Sequence, residues 1–480
     1  MGLNRQTKLL FIFFGVIYSL ISLVNHYLFR TYAWDLGIFN NAIYDYAHFR
    51  FNDCMLMQPQ WNNLLGDHFV LILFPISFLH FLTGSYTLLI FQIVMILIGG
   101  LGIHRYFNSK FNNKDLAFWA VFHFFSIWGI YSALAFDYHN NVVAAMLVPW
   151  VIYFFEKGSY VKYFVFLVLI WFCKENMAFW AAFISLGLGL LYFRNRKALT
   201  VALITSALSL IYFLAVIKLI IPLIEPARGG YVHFKFNALG TDFEDAIINI
   251  LRNPSLPIRL LFENQSGLDK ANWIKTELHI AVILSGGVFL LFRPQFLVML
   301  IPIFAQKLFN DDPFKWGLNY HYSIEFVPIL TIAVYSVIGK WSAKLKSIAM
   351  VFFAILTLAT TIKFIDARRS IWYHGKSVRF YAAHHFKQKY DVKVVYDAMD
   401  MVPENAALSA TSTIVPHMAF RDKIYHFPVV NDADYILINS AGSIAPLTEA
   451  EMETEVMGLK SDNDWNLIFN KDNIYLFKRK

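Results

Sequence analysis

Residues 9–29 read LLFIFFGVIYSLISLVNHYLF, without one Asp, Glu, Lys or Arg. A helix that crosses a hydrocarbon layer needs about 20 such residues. Runs of the same character recur at 86–103 and 116–136 and continue to residue 365. Over the whole chain 58% of residues are hydrophobic, 18% aromatic and only 15% charged, and mean hydropathy is +0.49. An ordinary soluble chain carries about 25% charged residues. The expected fold is a polytopic α-helical membrane protein of about eleven spans. The first run is long and lacks a small-residue cleavage site, so it reads as a retained span rather than a signal peptide. Cys54 and Cys173 supply neither a disulfide framework nor metal-ligand spacing. The formal charge of +8 fits basic loops on one membrane face, and no nucleic-acid partner is expected. No Walker, G-x-G-x-x-G or zinc pattern occurs, and no internal repeat, so nucleotide chemistry has no support.

Lys and Arg gather in cytoplasmic loops of membrane proteins. Here they cluster at Arg5/Lys8, Arg105/Lys110/Lys114, Lys157/Lys162, Arg194/Arg196/Lys197, Arg293 and Lys340/Lys344/Lys346. Placing all of these inside predicts spans near 9–28, 86–104, 116–135, 141–155, 160–174, 177–193, 199–222, 277–292, 294–309, 322–338 and 347–365. The alternation then requires that 68–82 not cross; it dips into the outer leaflet or lies along it. The N-terminus is cytoplasmic, in a plasma (inner) membrane. Outer loops 29–85 and 225–276 follow, and the C-terminal part is extracytoplasmic. Asp35, Asp67/His68, Asp137/His139, Lys174/Glu175, Asp311/Asp312 and His321 all fall on the outer face.

Within the first outer loop Leu36, Phe39, Ile43 and Ala47 share one face at helical spacing, which predicts an interfacial helix over 34–48. Phe243, Ile247, Ile248 and Leu251 repeat the pattern before the breaks at Asn253-Pro254 and Leu256-Pro257, predicting another surface helix. Residues 1–365 form the transmembrane module. Beyond 365 charges return and apolar runs shorten to strand length at 407–410, 423–427, 435–439, 467–469 and 474–478, with helices near 378–401 and 447–458. This predicts a small α/β domain, 366–480, ending in a hairpin.

Several local strings occur in order: Tyr32-Ala33-Trp34-Asp35-Leu36-Gly37-Ile38-Phe39, Asp67-His68-Phe69 leading to Pro75, Phe136-Asp137-Tyr138-His139, Lys174-Glu175, Asn237-Ala238-Leu239-Gly240, Tyr320-His321-Tyr322 before Pro328, and Val415-Pro416-His417 with Arg421. Together they resemble an uncharacterised prokaryotic membrane family of the GT-C glycosyltransferase superfamily. The resemblance implies a GT-C-like fold, a polyprenyl-phosphate-sugar donor, catalysis on the extracytoplasmic face and an acidic residue in the first outer loop. The family often has an acidic residue where Asn176 stands, so this chain departs from it there.

Each candidate has a bland reading beside the functional one. Asp35 is either a helix N-cap or, on the resemblance, the general base that takes a proton from an acceptor hydroxyl. Asp67 and His68 cap a helix or contact substrate hydroxyls. With Asp137 and His139 they could also ligate a divalent cation, Mn²⁺ or Mg²⁺. Asp137 and His139 are turn residues close to hydrocarbon, where an acid is costly unless it faces a cavity. Lys174-Glu175 is a solvated turn pair or the cation that meets a leaving phosphate with a carboxylate beside it. His321 belongs to an aromatic belt with Tyr320 and Tyr322, or touches phosphate or sugar. Arg228, Lys235, Arg252 and Arg259 suit phosphate or anionic headgroups, and His417 and Arg421 read as structural.

The leading expectation is a membrane glycosyltransferase with a lipid-borne donor and a glycan, lipid or protein acceptor. A transporter or lipid flippase would show repeats and ionisable groups at mid-span; only Lys218 and Lys307 approach that, and both can snorkel. A non-catalytic receptor or scaffold is the third alternative.

Overall fold

A computed structural model describes residues 3–57, 63–226, 233–371 and 373–480. Helices dominate because a helix satisfies every backbone N–H and C=O internally, as hydrocarbon requires. Four stretches, Arg5–Tyr27, Leu73–Phe111, Arg196–Ile224 and Ala343–Asp366, are long and apolar enough to cross a membrane. The pair Lys114–Ser126 and Trp128–Leu134, bent by 45°, makes a fifth if taken as one. Shorter apolar helices run Asn140–Glu156, Tyr160–Cys173, Glu175–Leu191, Pro294–Leu308 and Phe326–Ile338. Ile274–Val282, a π turn at Ile283–Gly287 and Phe289–Phe292 form one more helical stretch. Each expected span thus lands on a helix, although length and composition alone qualify four or five of them.

Leu73–Phe111 is not one rod. Short turns at Leu73–Ile76, Ser77–Leu79 and His80–Thr83 meet Gly84 at φ 53°, a backbone that favours glycine, before the 25-residue helix Thr87–Phe111. That helix alone covers about 37 Å at 1.5 Å per residue, a full crossing.

By contact the chain forms two compact units. The first comprises Met1–Tyr18, Gln92–Ala135 and His139–Arg379; the second comprises Ser19–Phe91, Phe136–Tyr138 and Phe380–Lys480. The sequence suggested one cut near 365, whereas the first outer loop groups with the C-terminal segment.

In the first unit, helices Tyr160–Cys173 and Glu175–Leu191 are joined by the single extended residue Lys174, at φ −172° and ψ 148°. Helix Trp128–Leu134 runs so close to the loop before Phe326 that a Cβ at Gly129 would sit 2.6 Å from the Ser323 carbonyl oxygen. Helix Phe243–Arg252 starts at Asp242, whose carboxylate accepts the Glu244 and Asp245 N–H groups. Its Phe243, Ile247, Ile248 and Leu251 are exposed, as the surface-helix pattern predicts.

The second unit holds a five-stranded sheet in the order β2-β1-β3-β5-β4, where β1 is Leu408–Ala410, β2 Ile424–His426, β3 Tyr435–Asn439, β4 Trp465–Lys471 and β5 Ile474–Arg479. β1 pairs in parallel with β2 and β3, while β5 pairs antiparallel with β3 and β4. Asp472 and Asn473, at φ 51° and 63°, make the tight β4–β5 turn. Helix Glu449–Ser461 packs Met452 and Val456 on Ile436, Ile438 and Phe477.

Two expectations change here. The helix expected over 34–48 forms as a π turn Ala33–Gly37 followed by helix Ile38–Ala47, but it is buried on both faces, not interfacial. Asn40 donates to the Ser85 and Pro416 carbonyls and Asn41 to those of Ala419 and Arg421, so the polar face is covered by the C-terminal segment. The helix expected over 378–401 forms only at Val392–Met399. Upstream, the carbonyls of His385 and Lys387 accept from the buried Arg30 guanidinium instead of from a helix.

Candidate functional site

In the first unit one-residue and short connections put cations into a confined space. Asn141, Lys174, Asn176, Gln306, Lys307, Lys315, His321, Tyr322 and Glu325 line a cavity of about 40 Å³ together with Ile303. One water needs about 10–15 Å³, so the space takes about three oxygen-sized atoms. Lys174 enters from the extended residue between two helices. Lys307, only 3% exposed, is held by the Lys315 and Gly317 carbonyls at 2.7 and 2.9 Å and by Ser323 Oγ at 2.9 Å. It does not snorkel as expected, because the loop after its helix folds back over it. Tyr320, at φ 58°, turns the chain so that His321 and Tyr322 face the cavity, a left-handed conformation that costs a non-glycine residue about 1–2 kcal/mol.

Charge in this cavity is unbalanced. Glu325 is the one carboxylate among the described lining residues, against three lysines. Its Oε1 accepts from Asn141 Nδ2 at 2.8 Å, while Oε2 has no hydrogen-bond partner among the described residues. Burial lowers the Lys315 ammonium to about 8, with Lys174 and Lys235 adding to the effect. Burial also holds the His321 imidazole well below its usual range, and His139, Lys174, Lys315 and Lys307 push the same way. The His321 ring stacks on that of His139 at 3.5 Å between centroids, and the His139 backbone N–H donates to Gln92 Oε1 at 2.9 Å. A buried ammonium such as Lys315 carries a desolvation cost that a bound anion offsets.

The second unit holds a pair of carboxylates. Asp137 is fully buried, and its Oδ2 accepts the Tyr32 and Leu36 N–H groups at 2.8 and 3.2 Å. These bonds pin the π turn that carries Asp35. Burial raises the Asp137 carboxyl well above its usual range, the charge of Asp35 raises it further, and the two N–H bonds partly oppose the rise. Aromatic pairs Tyr32–Phe136 and Phe39–Tyr138 flank the clasp. On its other side the Ala33 N–H reaches Ser412 Oγ at 3.4 Å, in the loop after β1, and a Cβ at Gly37 would come within 2.8 Å of Val415. Asp35 is not an N-cap: no side chain caps the turn from Tyr32, and the following helix is preceded by Gly37. A carboxyl held protonated beside a second carboxylate is an arrangement that suits proton transfer.

The expected site residues therefore fall in two groups. Lys174, His139 and His321 gather in the first unit, and Asp35 and Asp137 in the second. Glu175, fully buried at the start of its helix, is absent from the cavity lining, whereas Asn176 is part of it. Asp67 and His68 pair with each other at 3.7 Å in the second unit. No cluster of three metal-donor side chains containing Asp137 or His139 occurs among the described residues. Arg228 lies outside the described residues. Arg421 is tied to the Met418, Pro403 and Ala406 carbonyls, a structural role. His417 is also packed inside, stacked on His26. Sequence reasoning missed Lys315 and Glu325 and undervalued Lys307. The signal was present: Lys307 ends one apolar helix, and Lys315, His321, Glu325 and two aspartates crowd into the connection to the next, where charge is expensive.

An apolar helical body, a small C-terminal sheet and ionisable groups buried at helix ends define a polytopic membrane protein. The chain belongs to the family described as "Predicted membrane protein (DUF2079)", whose model matches residues 25–476. No curated protein matches the chain.

Proposed function

We propose that this protein is a GT-C-type glycosyltransferase of about eleven spans that moves a sugar from a polyprenyl-phosphate donor to an acceptor on the extracytoplasmic face of the inner membrane. One observation carries the reading: a cavity sized for a few oxygens, with three lysines and one carboxylate among its described lining residues. Helices of 13 to 17 residues, such as Phe326–Ile338 and Asn140–Glu156, would span a locally thinned bilayer. With the basic loops inside, the cavity loops, Asp35 and the C-terminal sheet are all extracytoplasmic.

The donor phosphate occupies the lysine cavity. When the bond between the anomeric carbon and the phosphate oxygen breaks, that oxygen gains charge, and Lys174 and Lys315 meet it there. Asp35 accepts the proton of the attacking acceptor hydroxyl. Asp137 keeps its proton to higher pH, so it spares Asp35 a second negative charge while its backbone bonds fix the turn. Asp67 and His68 contact sugar hydroxyls or hold a divalent cation.

The test is a reconstituted assay: protein in liposomes, a radiolabelled polyprenyl-monophosphate-hexose, and a cell-envelope extract as acceptor source. Wild type should release polyprenyl phosphate with transfer of label, and Asp35→Asn and Lys315→Gln should not. Equal release by wild type and both variants would overturn the reading.

A further inference from the structure

The outer segment 233–276 has two faces with different partners. On helix Phe243–Arg252, Phe243, Ile247, Ile248 and Leu251 are 39%, 58%, 45% and 77% exposed. Positions i, i+4, i+5 and i+8 make one stripe. A stripe this apolar is not left to water, and its depth is fixed by its neighbours. The Phe243 ring lies 6.3 Å from Phe213, and Glu244 pairs with Lys218 at 3.6 Å. Both partners belong to the membrane-crossing stretch Arg196–Ile224, whose Leu219 and Leu223 are also exposed. The stripe thus continues an apolar surface already committed to lipid. Arg252, exposed at its far end, complements anionic headgroups, and Arg259 on the following helix Ser255–Leu260 is exposed too, paired with Glu263 at 3.4 Å.

The opposite face holds the stretch that runs between two lysines of the cavity. Ala246 packs with Leu239 and Leu260, and Phe309 lies against this cluster. Asp311 accepts the Asn237 N–H through both carboxylate oxygens, at 3.0 and 3.1 Å, and its own N–H donates to the Lys235 carbonyl. Gln265 Nε2 donates to the Leu308 and Asn310 carbonyls at 2.9 Å, and Lys275 Nζ to that of Leu308 at 2.7 Å. Both ends of the segment therefore hold residues 308–311, the stretch between Lys307 and Lys315.

We infer that segment 233–276 is a lipid-seated clasp: its amphipathic helix lies in the outer headgroup layer of an anionic membrane and, through 308–311 and the Lys307 ammonium that ties the following loop down, holds Lys315 in its anion-binding position. This rests on the reading of the cavity as a phosphate site, and it couples that site to the lipid surface from which the donor arrives.

Two measurements on the full chain in phosphatidylglycerol-containing nanodiscs test it. A nitroxide on Leu251→Cys should be more accessible to oxygen than to a water-soluble nickel chelate, and one on Asp269→Cys the reverse. A water-accessible label at 251 overturns the lipid contact. Ile247→Glu/Leu251→Glu should weaken inorganic-phosphate binding at least about fivefold, the low end of ordinary coupling; unchanged binding overturns the clasp. If wild type binds no phosphate, the cavity reading fails and the coupling with it, while the nitroxide contrast still decides where the helix lies. The label result also holds if the double variant does not fold.

Discussion

Replacing Lys315 by Met should stabilise this protein and remove its anion affinity together. Burial and the charges of Lys174 and Lys235 bring the Lys315 ammonium from 10.5 to about 8. At 1.36 kcal/mol per pH unit, keeping that charge in the empty cavity at pH 7 costs up to about 3 kcal/mol, and less where water reaches the partly exposed side chain. The unfolded chain holds the proton up to 10.5 and the folded chain only to about 8. Wild-type stability should therefore rise between pH 8 and 10.5, and the Met variant should lack that rise. Sulfate has no titration in this range, so its affinity should fall above pH 8 by as much as about tenfold per unit as Lys315 loses its proton. The assay pairs thermal melting with equilibrium dialysis of labelled sulfate on reconstituted protein from pH 6.5 to 10. A Met variant that melts lower at pH 7, or that binds sulfate as wild type does, would rule out a strained, anion-binding ammonium at this position.

Other consequences are sharper for single contacts. Asp137→Ala leaves the Tyr32 and Leu36 N–H groups buried without an acceptor and should cost about 2–4 kcal/mol in melting experiments, whereas Asp137→Asn, which keeps an acceptor oxygen, should retain most of it. Asp35→Asn should melt and bind sulfate like wild type while releasing no polyprenyl phosphate; a large loss of stability would mark Asp35 as structural instead. Gly129→Ala forces a Cβ to 2.6 Å from the Ser323 carbonyl, between His321 and Glu325, and should cost about 1–3 kcal/mol and weaken sulfate binding in dialysis. Burial lowers His417 from 6.5 to about 3, so unfolded protein binds more protons between those values. Stability should fall by about 1.4 kcal/mol per unit as pH drops through that window, and melting curves of His417→Phe should show a flatter profile.

Helix positions were legible because uninterrupted apolar windows leave the backbone no alternative in lipid. The strands were legible too, since short apolar runs between turn residues read the same at either end. What tertiary contact decides was not. Asn40 and Asn41 look like the wet face of an interfacial helix, and only the carbonyls of Pro416, Ala419 and Arg421, hundreds of residues away, make them core. Lys307 looks able to reach water until the loop carrying Gly317 and Ser323 closes on it. Asp137 reads locally as a turn acid near hydrocarbon; that it pins the Asp35 turn depends on hydrogen bonds across about a hundred residues. Glu175 and Asn176 are adjacent, and helix geometry, not residue type, makes Asn176 the one that lines the cavity.

Photo-crosslinking asks whether a lipid-borne phosphate reaches the lysine cavity. A polyprenyl monophosphate carrying a diazirine beside the phosphate is activated on the reconstituted protein, and the adducts are mapped by mass spectrometry. Adducts should fall on the peptides bearing Lys174, Lys315 and His321–Tyr322, and excess unlabelled polyprenyl phosphate should suppress them. Adducts confined to the basic loops around 105–114 or 194–197, or equal labelling in Lys315→Met, would contradict a phosphate site in that cavity.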